Sequence, residues 1–97
     1  MSVLVVLSTQ AQPDRVEDLK ALFREILPDT RSFDGCEGVT VYQDQDDPAR
    51  IILLETWESR PKFEAYGAWR AERGDAGRMG ELVAAPPLFQ FHDIVDA

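Results

Sequence analysis

Short apolar runs and one long stripe at helical spacing alternate along this chain, and their order predicts its elements. Val3 to Leu7 is an unbroken run of β-branched residues and leucine, the pattern of a strand buried on both faces. Pro13 opens a helix, where its missing N–H has no partner to lose. Asp14, Glu17 and Asp18 place negative charge at the positive end of that helix's dipole. Val16, Leu19, Leu22, Phe23, Ile26 and Leu27 recur at spacings of three and four and form one apolar stripe. Pro28 is expected to end or kink the helix, because it pushes Leu27 away from α geometry.

Phe33 to Gly38 reads as a turn, and Val39 to Gln43 as a second strand. Asp44 to Pro48 has the residues of a hairpin loop, and Ile51 to Trp57 is the third strand. Ser59 is the expected N-cap of a second helix, with Pro61 in its first turn. Phe63, Tyr66, Trp69 or Arg70, and Arg73 lie along one stripe of it, and Gly74 and Gly77 break the pattern. A short helix is expected through Met79, Leu82 and Val83 before Pro86-Pro87, and Leu88 to Val95 is the fourth strand.

The order β-α-β-β-α-β predicts an α+β domain of the split-βαβ, ferredoxin-like kind, a four-stranded antiparallel sheet of order 4-1-3-2 with both helices on one face. Residues 1–97 are read as a single domain, since 97 residues give room for one core. A sheet with helices on one face and water on the other alternates apolar and polar residues. The central runs Val3–Leu7 and Ile51–Leu54 do not, and strand four carries Phe89 and Phe91 on one face with Leu88 and Ile94 on the other. A second copy of the sheet is the economical cover, so a homodimer packed sheet on sheet is expected.

Charge narrows the partners. Ten basic residues stand against eighteen acidic ones, for a net charge of −8, which disfavours nucleic acid and anionic membrane surfaces. The apolar N-terminal run has no basic region before it and is too short for a membrane span, and the lone Cys36 forms no internal disulfide, so the cytoplasm is the expected location.

Strong chemical motifs are absent: the sequence has no glycine-rich phosphate loop, no nucleophile elbow and, with one Cys and one His, no zinc spacing. Asp44, Asp46 and Glu55 imitate part of a calcium loop, but Pro48 and Ala49 occupy positions that need an oxygen ligand and a glycine, leaving a solvated hairpin. On strand four His92 shares a face with Leu88, Gln90 and Ile94; it is either a packed histidine or an acid–base group. Trp57, Tyr66 and Trp69 are either core or the walls of a flat aromatic pocket. Arg70 could pair an anionic oxygen of a ligand, or Glu64 or Glu81 on the surface. Glu55, on the Leu53 and Trp57 side of its strand, is either paired with Arg31 or Arg50 or a base with a raised pKa.

Arg31…Gly35-Cys36 leading into Val39–Asp44, Asp47-Pro48 in the hairpin, Glu55-Thr56-Trp57-Glu58-Ser59 and the aromatic helix after it resemble, nearly end to end, the antibiotic-biosynthesis monooxygenase (ABM) family of the dimeric α/β-barrel group. The resemblance implies two ferredoxin-like subunits packed sheet on sheet, and a pocket between sheet and helices closed by aromatic side chains. It also implies oxidation of a phenolic, quinol or polyketide-type aromatic by dioxygen with no metal, flavin or haem. Trp57 maps directly onto the family's pocket wall. Many members carry a histidine in the second helix, whereas Phe63 to Arg70 contains none and Tyr66 takes the matching position. The expected site is therefore His92 and Tyr66 as acid–base residues, with Trp57, Trp69, Arg70 and Glu55 binding a small aromatic substrate. A non-catalytic, dimeric small-molecule binding or sensing protein on the same scaffold is the alternative.

Overall fold

A computed structural model describes residues 2–97. The elements run β1 (Val3–Gln10), α1 (Val16–Ser32), β2 (Cys36–Gln43), β3 (Arg50–Trp57), α2 (Arg60–Arg73), α3 (Asp75–Gly80) and β4 (Leu88–Asp93). The antiparallel sheet has the order β2-β3-β1-β4, so the expected α+β, ferredoxin-like arrangement is the one observed. No described helix is long and apolar enough to cross a membrane.

The two faces of the sheet differ by register. Val3, Val5, Leu7 and Thr9 of β1 lie opposite Trp57, Glu55, Leu53 and Ile51 of β3, and all eight are buried beneath the helices. Leu4, Val6, Ile52 and Leu54 point the other way and stay half-buried, with no described element over them. β4 continues the division. Phe89 and Phe91 pair with Leu7 and Val5 on the helix side, while Gln90 and His92 pair with Val6 and Leu4 on the outer side.

Several boundaries differ from the sequence expectation. Pro13 lies in a turn before α1, closed by the Arg15 N–H donating to Gln12 O at 2.9 Å, and the helix starts at Val16. Pro28 does not end α1, which continues to Ser32. Proline removes one helical N–H, but Leu27 and Thr30 on either side of it are buried, and this tertiary packing outweighs the local penalty. Hydroxyls work along the same turns, with Ser32 Oγ donating to Asp29 O at 3.2 Å. β2 begins three residues early, at Cys36, and its register shifts between Cys36 and Gly38, so Glu37 is the extra residue of a bulge. β4 ends at Asp93, leaving Ile94 and Val95 exposed beyond it.

Two glycines set the turns around α2. Gly35 has φ +94°, and a Cβ there would meet Lys62 Cβ at 2.6 Å, so the turn into β2 closes onto the first turn of α2. Ser59 caps that helix, its Oγ accepting from the Lys62 N–H at 3.3 Å. Gly74, at φ +81°, ends α2 in the left-handed conformation and turns the chain directly into α3.

The core falls into two clusters. Leu19, Leu22, Phe23 and Leu27 of α1 pack on Leu7, Ile51 and Leu53, with Leu82 closing the end. Phe63 and Tyr66 of α2 pack on Val3, Val5 and Trp57. The second cluster is largely aromatic: Trp57 and Tyr66 have ring centroids 5.0 Å apart, and Phe33 stands edge-on to Tyr66 at 5.3 Å.

Candidate active site between the sheet and the helices

A cavity of about 500 Å³ separates the two clusters, within the range of about 300–1,000 Å³ usual for small-molecule sites. β1, β3 and β4 supply its floor through Leu7, Leu53, Glu55, Phe89 and Phe91, and the three helices supply its walls. Phe23, Leu27, Phe63 and Met79 make those walls mostly apolar. Leu7, Leu53, Phe23, Phe89 and Phe91, read from the sequence only as strand and helix residues, are thus site residues as well; the alternation that puts them on the helix side was the available signal.

Glu55 is the ionisable group on the floor. Its residue is 3% exposed, and its Oε1 accepts a 2.9 Å hydrogen bond from Trp57 Nε1. Neither Arg31 nor Arg50 reaches it: Arg31 Nη2 donates instead to Val39 O at 3.2 Å, and Arg50 is exposed at the start of β3. No described residue donates to Oε2, and no described side-chain oxygen is both fully enclosed and unpartnered, so Oε2 opens into the cavity. Burial pushes the Glu55 carboxyl up from its ordinary value, while the Trp57 hydrogen bond and the more distant charge of Arg70 pull it partly back.

The wall facing α1 is polar and closed on itself. The Tyr66 hydroxyl lies 2.6 Å from Thr30 Oγ1 and accepts from Arg70 Nε at 2.9 Å. Arg70 is only 6% exposed; it also donates to Thr30 Oγ1 at 2.9 Å, to Ile26 O and, through Nη1, to Asp75 Oδ2 at 2.8 Å. Surface pairing of Arg70 with Glu64 or Glu81 does not occur. The left-handed Gly74 folds Asp75 back beneath the guanidinium, and four hydrogen bonds compensate for burying the charge. Burial alone would raise the Asp75 carboxyl, but hydrogen bonds and charge from Arg70 and Arg73 outweigh it and hold the group below the usual carboxylate range. Burial drives the Tyr66 phenol up, so it stays protonated at neutral pH. Thr30 and Asp75 were not legible as site residues, because one lies beyond the helix end that Pro28 predicts and the other depends on the turn at Gly74.

The six residues singled out from the sequence separate into three positions. Glu55, Tyr66 and Arg70 line the cavity. Trp57 is fully buried behind it, supporting Glu55 and packing on Tyr66, and Trp69 is half-buried against Phe33 with the Arg70 guanidinium 4.7 Å from its ring centre. His92 is not brought to the others: it pairs with Leu4 on the outer face and is exposed there. The acidic hairpin holds itself, Asp44 Oδ1 accepting from the Asp46 and Asp47 N–H groups at 2.7 and 3.0 Å, and no group of three metal-ligating side chains occurs among the described residues.

Comparison with known proteins agrees with this architecture. The family model for antibiotic biosynthesis monooxygenase matches residues 2–71. Rv0793 of Mycobacterium tuberculosis is 26% identical over 84 residues, covering 87% of this chain and 82% of that protein. The protein sll1783 of Synechocystis is 20% identical over 94 residues, and the match spans 97% of this chain but only 64% of that protein's length. The solved structure of Rv0793 superposes with a TM-score of 0.88 at 24% identity, over 100% of this chain and 98% of that one. SnoaB from Streptomyces nogalater, a cofactor-independent oxygenase, superposes with a TM-score of 0.85 at 11% identity, over 99% of this chain and 95% of that one. These likenesses extend the shared fold through α3 and β4, and the family match covers β1 to α2, which hold Glu55, Trp57, Tyr66 and Arg70: this chain belongs to the antibiotic biosynthesis monooxygenase family.

Proposed function

We propose that this protein oxidises a phenolic, quinol or polyketide-type aromatic with dioxygen, without metal, flavin or haem, in the cavity between its sheet and its helices. The observation that carries the reading is the Glu55 carboxyl, held on the otherwise apolar floor of the cavity with one oxygen free. A buried carboxylate with a raised pKa is a competent acceptor for a phenolic or activated C–H proton. Transfer leaves an electron-rich anion in a dry, aromatic-walled space, where it reduces dioxygen directly. For a methylene flanked by aromatic rings, one oxygen atom ends as the new carbonyl. The other leaves as water with the two hydrogens from that carbon, so no external reductant is required.

Membership of the family supports this reading, and the cofactor-independent oxygenase SnoaB has the same fold. The proton acceptor proposed is Glu55 instead of His92, with Tyr66 and Arg70 fixing the wall that the substrate meets. A homodimer packed through the half-buried Leu4, Val6, Ile52 and Leu54 face completes the proposal, together with a cytoplasmic location, in keeping with the lone Cys36.

The test is oxygen uptake by metal-stripped protein against a panel of hydroquinones and anthrones. Turnover that needs no added metal or flavin and falls about 100-fold or more in Glu55→Gln is expected. Unchanged turnover in that variant would remove Glu55 from the role. One observation favours a binding or sensing protein instead: α2, from Arg60 to Arg73, contains no histidine. Saturable binding of an aromatic that survives unaltered in air would select that alternative.

A further inference from the structure

The outer side of α1 carries a second concavity, of about 340 Å³, between the helix and the edge of the sheet at β2. Lys20, Arg24 and Arg31 stand around it, and no acidic side chain lines it. That distribution is improbable in a chain of ten basic and eighteen acidic residues with net charge −8. Its apolar floor is made by Phe23 and Leu27 of α1 with Val41 and Ile51 of the sheet.

The three cations are largely uncommitted. Arg24 is exposed and forms no ion pair with a described residue, and Lys20 meets only the exposed Glu17, at 3.1 Å. Arg31 spends one donor on Val39 O, at 3.2 Å, and keeps the others. Cations at the rim with aliphatic and aromatic groups beneath are complementary to an organic anion with an apolar body.

We propose that this groove binds a small amphipathic organic anion, a carboxylate or phosphate monoester on an apolar body, at a site separate from the large cavity. Phe23 and Leu27 line both spaces, so the two sites share a wall. An occupant of the groove presses on the side chains that also bound the large cavity.

The probes are 2-naphthoate and 2-naphthyl phosphate, with 2-naphthylmethanol as the neutral control, titrated into uniformly 15N-labelled full chain and followed by amide chemical shifts. The expected result is saturable shifts centred on Arg24, Arg31 and Val41 for at least one anion. The neutral control should bind at least about tenfold more weakly, and added salt should weaken the anion. Whichever anion binds more tightly identifies the head group. Arg24→Glu, a substitution at an exposed helix position, should weaken the anion about tenfold at the groove, while in the unliganded protein the amide positions of Gly67 and Met79, which line the large cavity, stay where they are in the parent. Shifts confined to the large cavity, equal affinity for the neutral control, or unchanged affinity in Arg24→Glu would each overturn the proposal.

Discussion

Trp57 Nε1 donates a 2.9 Å hydrogen bond to Glu55 Oε1, two residues earlier on the same face of β3. The bond fixes the carboxyl and favours its ionised form against a burial that opposes it. Trp57→Phe removes the donor and keeps most of the ring packing. The pH at which Glu55 ionises should therefore rise further, and the ascending limb of a kcat/KM profile should move to higher pH. The limb staying in place would mean that Glu55 is not the titrating group.

Ionisation of Glu55 also bears on stability. Its carboxyl titrates higher folded than unfolded, so the folded state favours the neutral form. The associated stability is fully present below the unfolded carboxyl value of about 4.3 and is lost as pH rises through the folded value. Glu55→Gln keeps an acceptor for Trp57 and carries no charge. Its Tm should exceed that of the parent protein at pH 8, and the gap should close near pH 4 in a thermal melt series.

Arg70 and Asp75 join α2 to α3, and Arg70 also reaches Ile26 and Thr30 of α1. Arg70→Met leaves several buried acceptors without donors. The loss should be about 3 kcal/mol, the lower end for a broken buried pair, because Arg73 still approaches Asp75 at 3.3 Å. Denaturant unfolding measures it. In the parent protein the Asp75 contribution is present above the unfolded value of about 3.9 and disappears as pH falls through the lower folded value.

His92 faces away from the cavity. His92→Ala should leave both turnover and aromatic-ligand affinity within about twofold of the parent, since its ring is exposed on the outer face and Glu55 lies on the helix side of the sheet. A loss of tenfold or more with folding intact would restore the histidine to the site.

Leu54 sits mid-sheet on the outer face, beside Val6. Leu54→Glu should convert the proposed dimer into a monomer, read by light scattering coupled to size exclusion. A parent protein that is already monomeric at micromolar concentration would refute sheet-on-sheet pairing.

Much of the fold was legible because period-two and period-3.6 patterns survive in single residues: the apolar runs of β1 and β3, and the Val16–Leu27 stripe, each mark one element. The face of His92 was legible too, from alternation with Leu88, Gln90 and Ile94. The site was less so. Whether Glu55 pairs with an arginine depends on where Arg31 ends up, and Arg31 is taken by the Val39 carbonyl. The burial of Arg70 depends on a left-handed glycine four residues later and on a helix that runs past its own proline. Such long-range compensation leaves no periodic trace.

β1 lies between β3 and β4, with Val3 set against Trp57 on one side and Asp93 on the other. Neither neighbour is local in the chain. During synthesis the segment Val3–Gln10 emerges long before the strands that complete it, so β1 cannot be paired along both edges until Leu88–Asp93 has left the ribosome. Folding of this unit is therefore a late, high-contact-order event. Loss of β4 would leave an apolar strand with an open edge, a template for aggregation rather than a smaller version of the same domain.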